Sequence, residues 1–317
     1  MKTQSSEYYI KEIQRLKKEK NAIILAHFYQ TGDIQDIADF VGDSLALSQK
    51  AASNSADIIL FAGVKFMAET AKILAPKKKV LLPDVNAGCS LADSCKSEDF
   101  EKFIDNNPGR TVVSYINTNA EIKALSDIIC TSSNAVQIVE SLQADEKIIF
   151  APDRNLGNFV LNKTGRDIVI WNGTCHVHEE FSLEAILKLK KDYPDAKIIV
   201  HPECELPVRM VADFIGSTSA LLQYTKKDKG EKYIVATEVG IIHQMKKENP
   251  GKTYFPAPPR DSTCGCSECN FMKLITIEKI YNSLVNEKPE IILDNDLLYK
   301  AQKPIARMMD ISEKLGL

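Results

Sequence analysis

Ile23-Ile24-Leu25-Ala26-His27-Phe28-Tyr29, followed by Ile37-Ala38-Asp39-Phe40-Val41-Gly42-Asp43-Ser44, is a pattern that this chain carries three times. The second copy reads Val112-Val113-Ser114-Tyr115-Ile116-Asn117, then Leu125-Ser126-Asp127-Ile128-Ile129-Cys130-Thr131-Ser132. The third reads Ile198-Ile199-Val200-His201-Pro202-Glu203, then Val211-Ala212-Asp213-Phe214-Ile215-Gly216-Ser217-Thr218. Tyr29 to Ser44, Asn117 to Ser132 and Glu203 to Thr218 each span 15 residues. One apolar run aligns easily by chance; three with a common offset to a hydroxyl residue point to an internal repeat.

Downstream of each copy the likeness continues. A second apolar run follows at Ile58-Ile59-Leu60-Phe61-Ala62, Ile148-Ile149-Phe150-Ala151 and Tyr233-Ile234-Val235-Ala236. A third follows at Val80-Leu81-Leu82-Pro83, Ile168-Val169-Ile170-Trp171 and Thr253-Tyr254-Phe255-Pro256. Upstream, amphipathic helices are expected near Tyr8–Lys18, Glu98–Asp105 and Leu183–Lys191. The unit therefore reads helix, strand, helix, helix, strand, helix, strand. Continuous β-branched runs suit parallel strands buried on both faces, and alternation with helices gives an α/β fold. The expected architecture is three pseudo-threefold-related αβα units, each with a small parallel sheet, around a central active site. Their expected bounds are 1–88, 89–174 and 175–269, with a helical segment 270–317 packing back on the first unit.

Composition agrees with a globular protein. The 317 residues are 44% hydrophobic and 26% charged, with a net charge of −3, so no basic face for nucleic acid is expected. The lysine runs at 77–79, 226–227 and 246–247 read as solvated helix ends or turns. Neither a signal-peptide core nor a membrane span is present in the pattern, and a cytoplasmic protein is expected. Eight cysteines then favour metal binding or catalysis over a disulfide framework.

Ligands of open parallel sheets sit beyond the carboxyl ends of the strands. The recurring polar residues fall there: His27 and Tyr29, Tyr115 and Asn117, His201 and Glu203. Ser44, Ser132 and Thr218 each precede a helix-like run and are expected as caps, where free N–H groups favour anions. Three such ends on one cavity suit a substrate carrying phosphate or several carboxylates.

Each unit also ends in a cysteine: Cys89, Cys175 and Cys269, separated by 86 and 94 residues. Thiolates from three loops can hold a metal centre, and a [4Fe–4S] cluster with only three thiolates keeps one iron open. A zinc knuckle at Cys264-Gly265-Cys266-Ser267-Glu268-Cys269, completed by Cys175-His176-Val177-His178, is the alternative. Cys95, Cys130 and Cys204 lack counterparts in the other copies and read as structural thiols; His176 and His178 read as supporting groups rather than ligands.

Together Ala26-His27-Phe28-Tyr29-Gln30, Gly42-Asp43-Ser44, Val113-Ser114-Tyr115-Ile116-Asn117, Gly173-Thr174-Cys175-His176-Val177-His178, His201-Pro202-Glu203-Cys204 and the segment Cys264 to Met272 resemble the quinolinate synthase family. The resemblance spans nearly the whole chain. It implies a transferase that condenses iminoaspartate with dihydroxyacetone phosphate, releasing phosphate and two waters and giving quinolinate for NAD biosynthesis. It implies a [4Fe–4S] cluster on Cys89, Cys175 and Cys269, the last chosen because Asn270-Phe271-Met272 follows it. The family's Cys-x-x-Cys-x-x-Cys is here Cys-x-Cys-x-x-Cys. His27, Ser44, Tyr115, Asn117, Ser132, His201, Ser217 and Thr218 match residues that hold carboxylates and phosphate; Tyr29 and Glu203 match the acid–base pair. The imine comes from an L-aspartate oxidase or an aspartate dehydrogenase, either of which is then a transient partner. An aconitase-type hydro-lyase and an iron–sulfur sensor are the rival readings of the same cysteines.

Overall fold

The computed structural model describes residues 5–261 and 267–317. Three separate parallel sheets carry the fold. The first contains β1 (Ala22–His27), β2 (Phe40–Gly42), β3 (Ile58–Ala62) and β4 (Lys79–Leu81). The second contains β5 (Thr111–Tyr115), β6 (Ile128–Cys130), β7 (Ile148–Ala151) and β8 (Ile168–Ile170). The third contains β9 (Lys197–Val200), β10 (Phe214–Ile215), β11 (Lys232–Ala236) and β12 (Thr253–Pro256). All three share one strand order: β2-β1-β3-β4, β6-β5-β7-β8 and β10-β9-β11-β12. The repeat seen in the sequence is thus a repeat of topology, and the class is α/β with three αβα units.

The 15-residue offset has a physical meaning: it is the register between the first two strands of each sheet. Leu25 pairs with Phe40, Val113 with Ile128, and Ile199 with Phe214. An aspartate fixes that register in every unit. Asp39, Asp127 and Asp213 accept the backbone N–H of Ile24, Val112 and Ile198 at 2.7, 2.7 and 2.8 Å. Their own N–H groups return to the same residues' carbonyls at 2.9, 3.0 and 2.8 Å. Two reciprocal bonds on one residue pair leave no room for a slipped alignment.

Four strands per sheet, rather than three, is a correction to the sequence reading. β2, β6 and β10 are edge strands of three, three and two residues. Such lengths are too short to show a period, so they merge with the helices around them. The opening helices lie at Ser6–Glu19, Ser97–Asp105 and Leu183–Asp192, close to their expected spans. Ser5 and Ser182 cap the first and third by accepting the N–H of Tyr8 and Ala185.

The first two units share one core, built on strands such as β3 and β7 whose residues are all buried. The helices Ile277–Asn286 and Asn295–Lys314 join this core. Ile277–Asn286 packs along Ser6–Glu19, while Asn295–Lys314 lies mainly on the helix Ala120–Ala124 and on β6. The third sheet packs apolar clusters on both its faces. No helix among the described residues is long and apolar enough to cross a membrane.

Two buried charged residues, Glu69 and Lys123, interact between the first two units without a direct bond. Glu69, on the helix Lys65–Leu74, accepts the Ala120 N–H at 3.1 Å. Lys123 is fully buried, donates to the Thr118 carbonyl, and lies 5.5 Å from the Phe66 ring centroid. Burial drops its pKa to about 8, with Glu69 and Glu121 pulling the other way. Lys123→Ala leaves Glu69 buried with only the exposed Lys65 ammonium, 3.6 Å away, to offset its charge. The expected loss is roughly 3 kcal/mol, seen as a lower urea midpoint, and Lys123→Met with Glu69→Leu recovers most of it.

Candidate active site

The carboxyl ends of strands from all three sheets open onto one cavity of about 610 Å³, its mouth included. From the first unit and the loop after it come His27, Tyr29, Ser44 and Cys89; from the second and the loop after it, Tyr115, Asn117, Ser132 and Cys175; from the third and the loop after it, His201, Glu203, Thr218 and Cys269. Twelve of the thirteen expected site residues therefore meet in one place. Ser217 lies one residue behind Thr218, where its hydroxyl accepts the Ala220 N–H at 3.3 Å.

The capping assignment shifts by one residue. Asp43 and Ser217, not Ser44 and Thr218, cap their helices, and Asn134 precedes the helix Ala135–Glu140. A cap must stand outside the helix for its side chain to reach back to the third N–H. Ser44 and Thr218 are the first helical residues, so their hydroxyls remain available to the cavity.

Two histidines are set by the backbone in the same way. His27 Nδ1 accepts the Tyr29 N–H at 3.2 Å, and His201 Nδ1 accepts the Glu203 N–H at 3.3 Å. Neutral His27 therefore carries its proton on Nε2, while His201 Nδ1 also lies 3.3 Å from Glu203 Oε2. His201 Nε2 lies 3.2 Å from Ser132 Oγ. Burial lowers the pKa of His27 to about 4 and of His201 to about 3. Unfolded, both titrate near ~6.5. Between those limits the unfolded chain binds more protons than the folded one, so stability falls as the pH drops from about 6.5 toward 4. Urea midpoints measured across that window should decline, and His27→Gln should flatten the decline.

His178 joins the expected acid–base pair. Its Nδ1 stands 2.9 Å from Glu203 Oε2 and 3.2 Å from Cys175 Sγ, and its Nε2 stands 2.9 Å from Thr237 Oγ1. Thr237 Oγ1 is in turn 2.8 Å from the Tyr29 hydroxyl, which also reaches Thr218 Oγ1 at 2.9 Å. Nδ1 facing a carboxylate must hold the ring proton, so Nε2 accepts from Thr237, and Thr237 accepts from Tyr29. A continuous hydrogen-bonded chain thus runs from Tyr29 to Glu203. Burial pushes Glu203 up, but His178, His201 and Tyr115 outweigh it and hold the carboxylate below its ordinary range. Burial and the Glu203 charge raise Tyr29 and Tyr115 well above theirs, so both phenols stay protonated.

The cysteines share one local geometry. Each is followed by a short helical turn: Ser90–Asp93, His176–Glu179 and Met272–Leu274. Backbone N–H groups of Ala92 and Leu91, of His178, and of Met272 and Phe271 face the three sulfurs and favour thiolates. Burial works against them, taking Cys89 to about 12, Cys269 to about 11 and Cys175 well above the usual thiol range. The charge of Cys269 is felt by Cys89 and Cys175, and that of Cys89 by Cys175. Their spacing is too wide for one ion: among the described residues, the ligand atoms within 4.8 Å of one another are those of Cys175, His178 and Glu203. Three half-buried thiols lining one cavity, with N–H groups behind them, suit a multi-atom metal cluster. Ser90 Oγ and His176 Nδ1, 2.8 Å apart, tie the first two cysteine loops together. Glu203 Oε1 and Asn117 Oδ1 are buried without a partner and offer acceptors to a ligand. Cys264 and Cys266, the other half of the zinc-knuckle alternative, lie outside the described residues.

Asp43, His178, Thr237 and Glu238 escaped the sequence reading as site residues. Thr237 and Glu238 follow β11 just as Gly63 and Val64 follow β3. The strand-end rule, applied to the second apolar run as well as the first, finds them. Asp43 was visible as the residue before a helix-opening serine.

Residues 11–310 match the family model described as Quinolinate synthetase A protein. The chain is 59% identical over 300 residues to the quinolinate synthase of Thermosynechococcus vestitus, covering 95% of this chain and 94% of that one. The enzymes of that name from Synechocystis sp. and Nostoc sp. are 59% and 58% identical over the same length, covering 95% of this chain and 94% and 92% of theirs.

Proposed function

The chain belongs to the quinolinate synthetase A family, and on that premise we propose that it is an iron–sulfur transferase making quinolinate for NAD biosynthesis from iminoaspartate and dihydroxyacetone phosphate. The observation that carries this reading is the convergence of three thiols and the Tyr29–Thr237–His178–Glu203 chain on one cavity. Cys89, Cys175 and Cys269 would hold a [4Fe–4S] cluster. When bound through three thiolates, such a cluster offers an open iron that acts as a Lewis acid on a substrate oxygen.

The protein's own groups do the rest. The His201 ring, the hydroxyls of Ser44, Ser132 and Thr218, and the helix ends beside them receive phosphate and carboxylates. Neutral His27 and Tyr115 add donors without adding charge. Asn117 Oδ1, without a protein partner, accepts from a substrate hydroxyl or imine. Glu203 is ionised and takes the proton beside the ketone carbonyl. Tyr29, held protonated, gives its proton to the oxygen that gains charge. Thr237 and His178 hold the phenol in one hydrogen-bonded line with Glu203. Val64, Phe66, Met67, Val177 and Met272 keep bulk water from the reactive carbons.

The test is anaerobic reconstitution followed by iron and sulfide counting, with quinolinate formation assayed with and without dihydroxyacetone phosphate. Quinolinate should form only when both substrates and the cluster are present. Turnover of a hydroxy acid without the phosphate ester would instead identify a hydro-lyase. Supply of the imine by an aspartate oxidase or dehydrogenase in the same assay would define the transient partner.

A further inference from the structure

Glu238 and Lys273 take no part in the chemistry above, yet Glu238 is buried on the cavity wall and Lys273 is half-buried against it. The Glu238 side chain is wholly inaccessible, and its Oε1 lies 2.8 Å from Lys273 Nζ. The same oxygen accepts the Cys269 N–H at 3.1 Å, while Oε2 accepts the Gly240 N–H at 2.7 Å. Lys273 Nζ makes one further bond, to the backbone carbonyl of Tyr29 at 2.7 Å. One carboxylate thus holds the third cysteine, and its counter-ion holds the tyrosine at the far end of the proton path.

The surrounding backbone is tied to the same point. Gln30 Nε2 donates to the Met272 carbonyl at 3.0 Å. Gln35 Nε2 reaches the carbonyls of Phe28, Gln30 and Gly240 at 3.0, 2.8 and 2.9 Å. A Cβ on Gly240 would stand 2.8 Å from both the Phe28 and Gln30 oxygens, so glycine is what lets the first and third units close here. The segment 28–30, the loop after β11 and the segment 269–273 are therefore cross-linked to one another by hydrogen bonds.

We propose that Glu238 and Lys273 are positioning residues that couple the seating of Cys269 to the placement of Tyr29, so that the proton path is completed only when the third cysteine is in place. The proposal rests on the reading of Cys269 as a ligand and of Tyr29 as an acid. An ammonium on the Tyr29 carbonyl fixes the backbone from which the phenol projects. A displacement of that backbone breaks the contacts to Thr218 and Thr237, whose geometry tolerates little error.

The experiment uses the full chain and three variants: Lys273→Met, Lys273→Arg and Glu238→Gln. In anaerobically reconstituted enzyme, Lys273→Met should keep its iron and sulfide and its KM, while kcat falls roughly tenfold to a hundredfold. Lys273→Arg should recover most of kcat. A second readout needs no metal: maleimide labelling of the cluster-free chain, followed by peptide mass spectrometry. Cys269 should label several-fold faster in Glu238→Gln and Lys273→Met, with Cys89 and Cys175 unchanged. Equal Cys269 labelling in all chains overturns the coupling, as does a kcat that falls only in step with lost iron. Should Lys273→Met fail to fold, Lys273→Gln carries the same expectations. A parent chain that takes up no iron and sulfide defeats the proposed function instead, and the labelling result still judges the latch.

Discussion

Glu203→Gln keeps its full complement of iron and sulfide and loses turnover by about 10²–10⁴. Glutamine preserves the shape of the side chain and can still accept from His178, so the three cysteines and the cavity walls stay in place. What disappears is a base. Glu203 is buried, held ionised by His178, His201 and Tyr115, and it keeps one oxygen free of protein partners. Those are the attributes of a group that takes a proton from a substrate. Metal content measured beside kcat separates this outcome from a damaged fold. An active Glu203→Gln enzyme with a full cluster would place the base elsewhere.

Cys89→Ala abolishes both the broad visible iron–sulfur absorbance and quinolinate formation. Each unit supplies one thiol to the cavity, and no other described cysteine can replace it: Cys95, Cys130 and Cys204 are fully buried and absent from the cavity wall. The apolar fold should survive, since Cys89 is only half-buried and makes no side-chain bond that a strand or helix depends on. Far-ultraviolet circular dichroism should therefore match the parent chain. A Cys89→Ala protein that retains full iron, sulfide and absorbance would remove this residue from the ligand set.

The spacing of the repeats carried more information than their composition. A fixed 15-residue offset looked like a mark of duplication and turned out to be strand register, pinned by Asp39, Asp127 and Asp213. Parallel sheets reward such reading, because each strand end marks a cavity edge whatever its partners are. His27, Tyr115 and His201 were legible for that reason. The short strands β2, β6 and β10 were not, because two or three residues show no period. Nor was the role of His178. Its partners Thr237 and Glu203 are 59 and 25 residues away, and nothing local tells a histidine which of them it will meet. Lys273 was hidden in the same way: its partner carbonyl, on Tyr29, belongs to the opposite end of the chain. Contacts between units are set by packing, which a one-dimensional pattern does not encode.

On the proposed ligand set, the position of Cys269 dictates when a cluster can be completed during biosynthesis. All twelve strands are synthesised before this third thiol emerges, so the metal cannot nucleate the fold as zinc does in a small finger domain. The sheets have to collapse on their aliphatic interiors alone, and an emptied polypeptide should remain compact, cooperative in melting and ready for repeated filling and stripping.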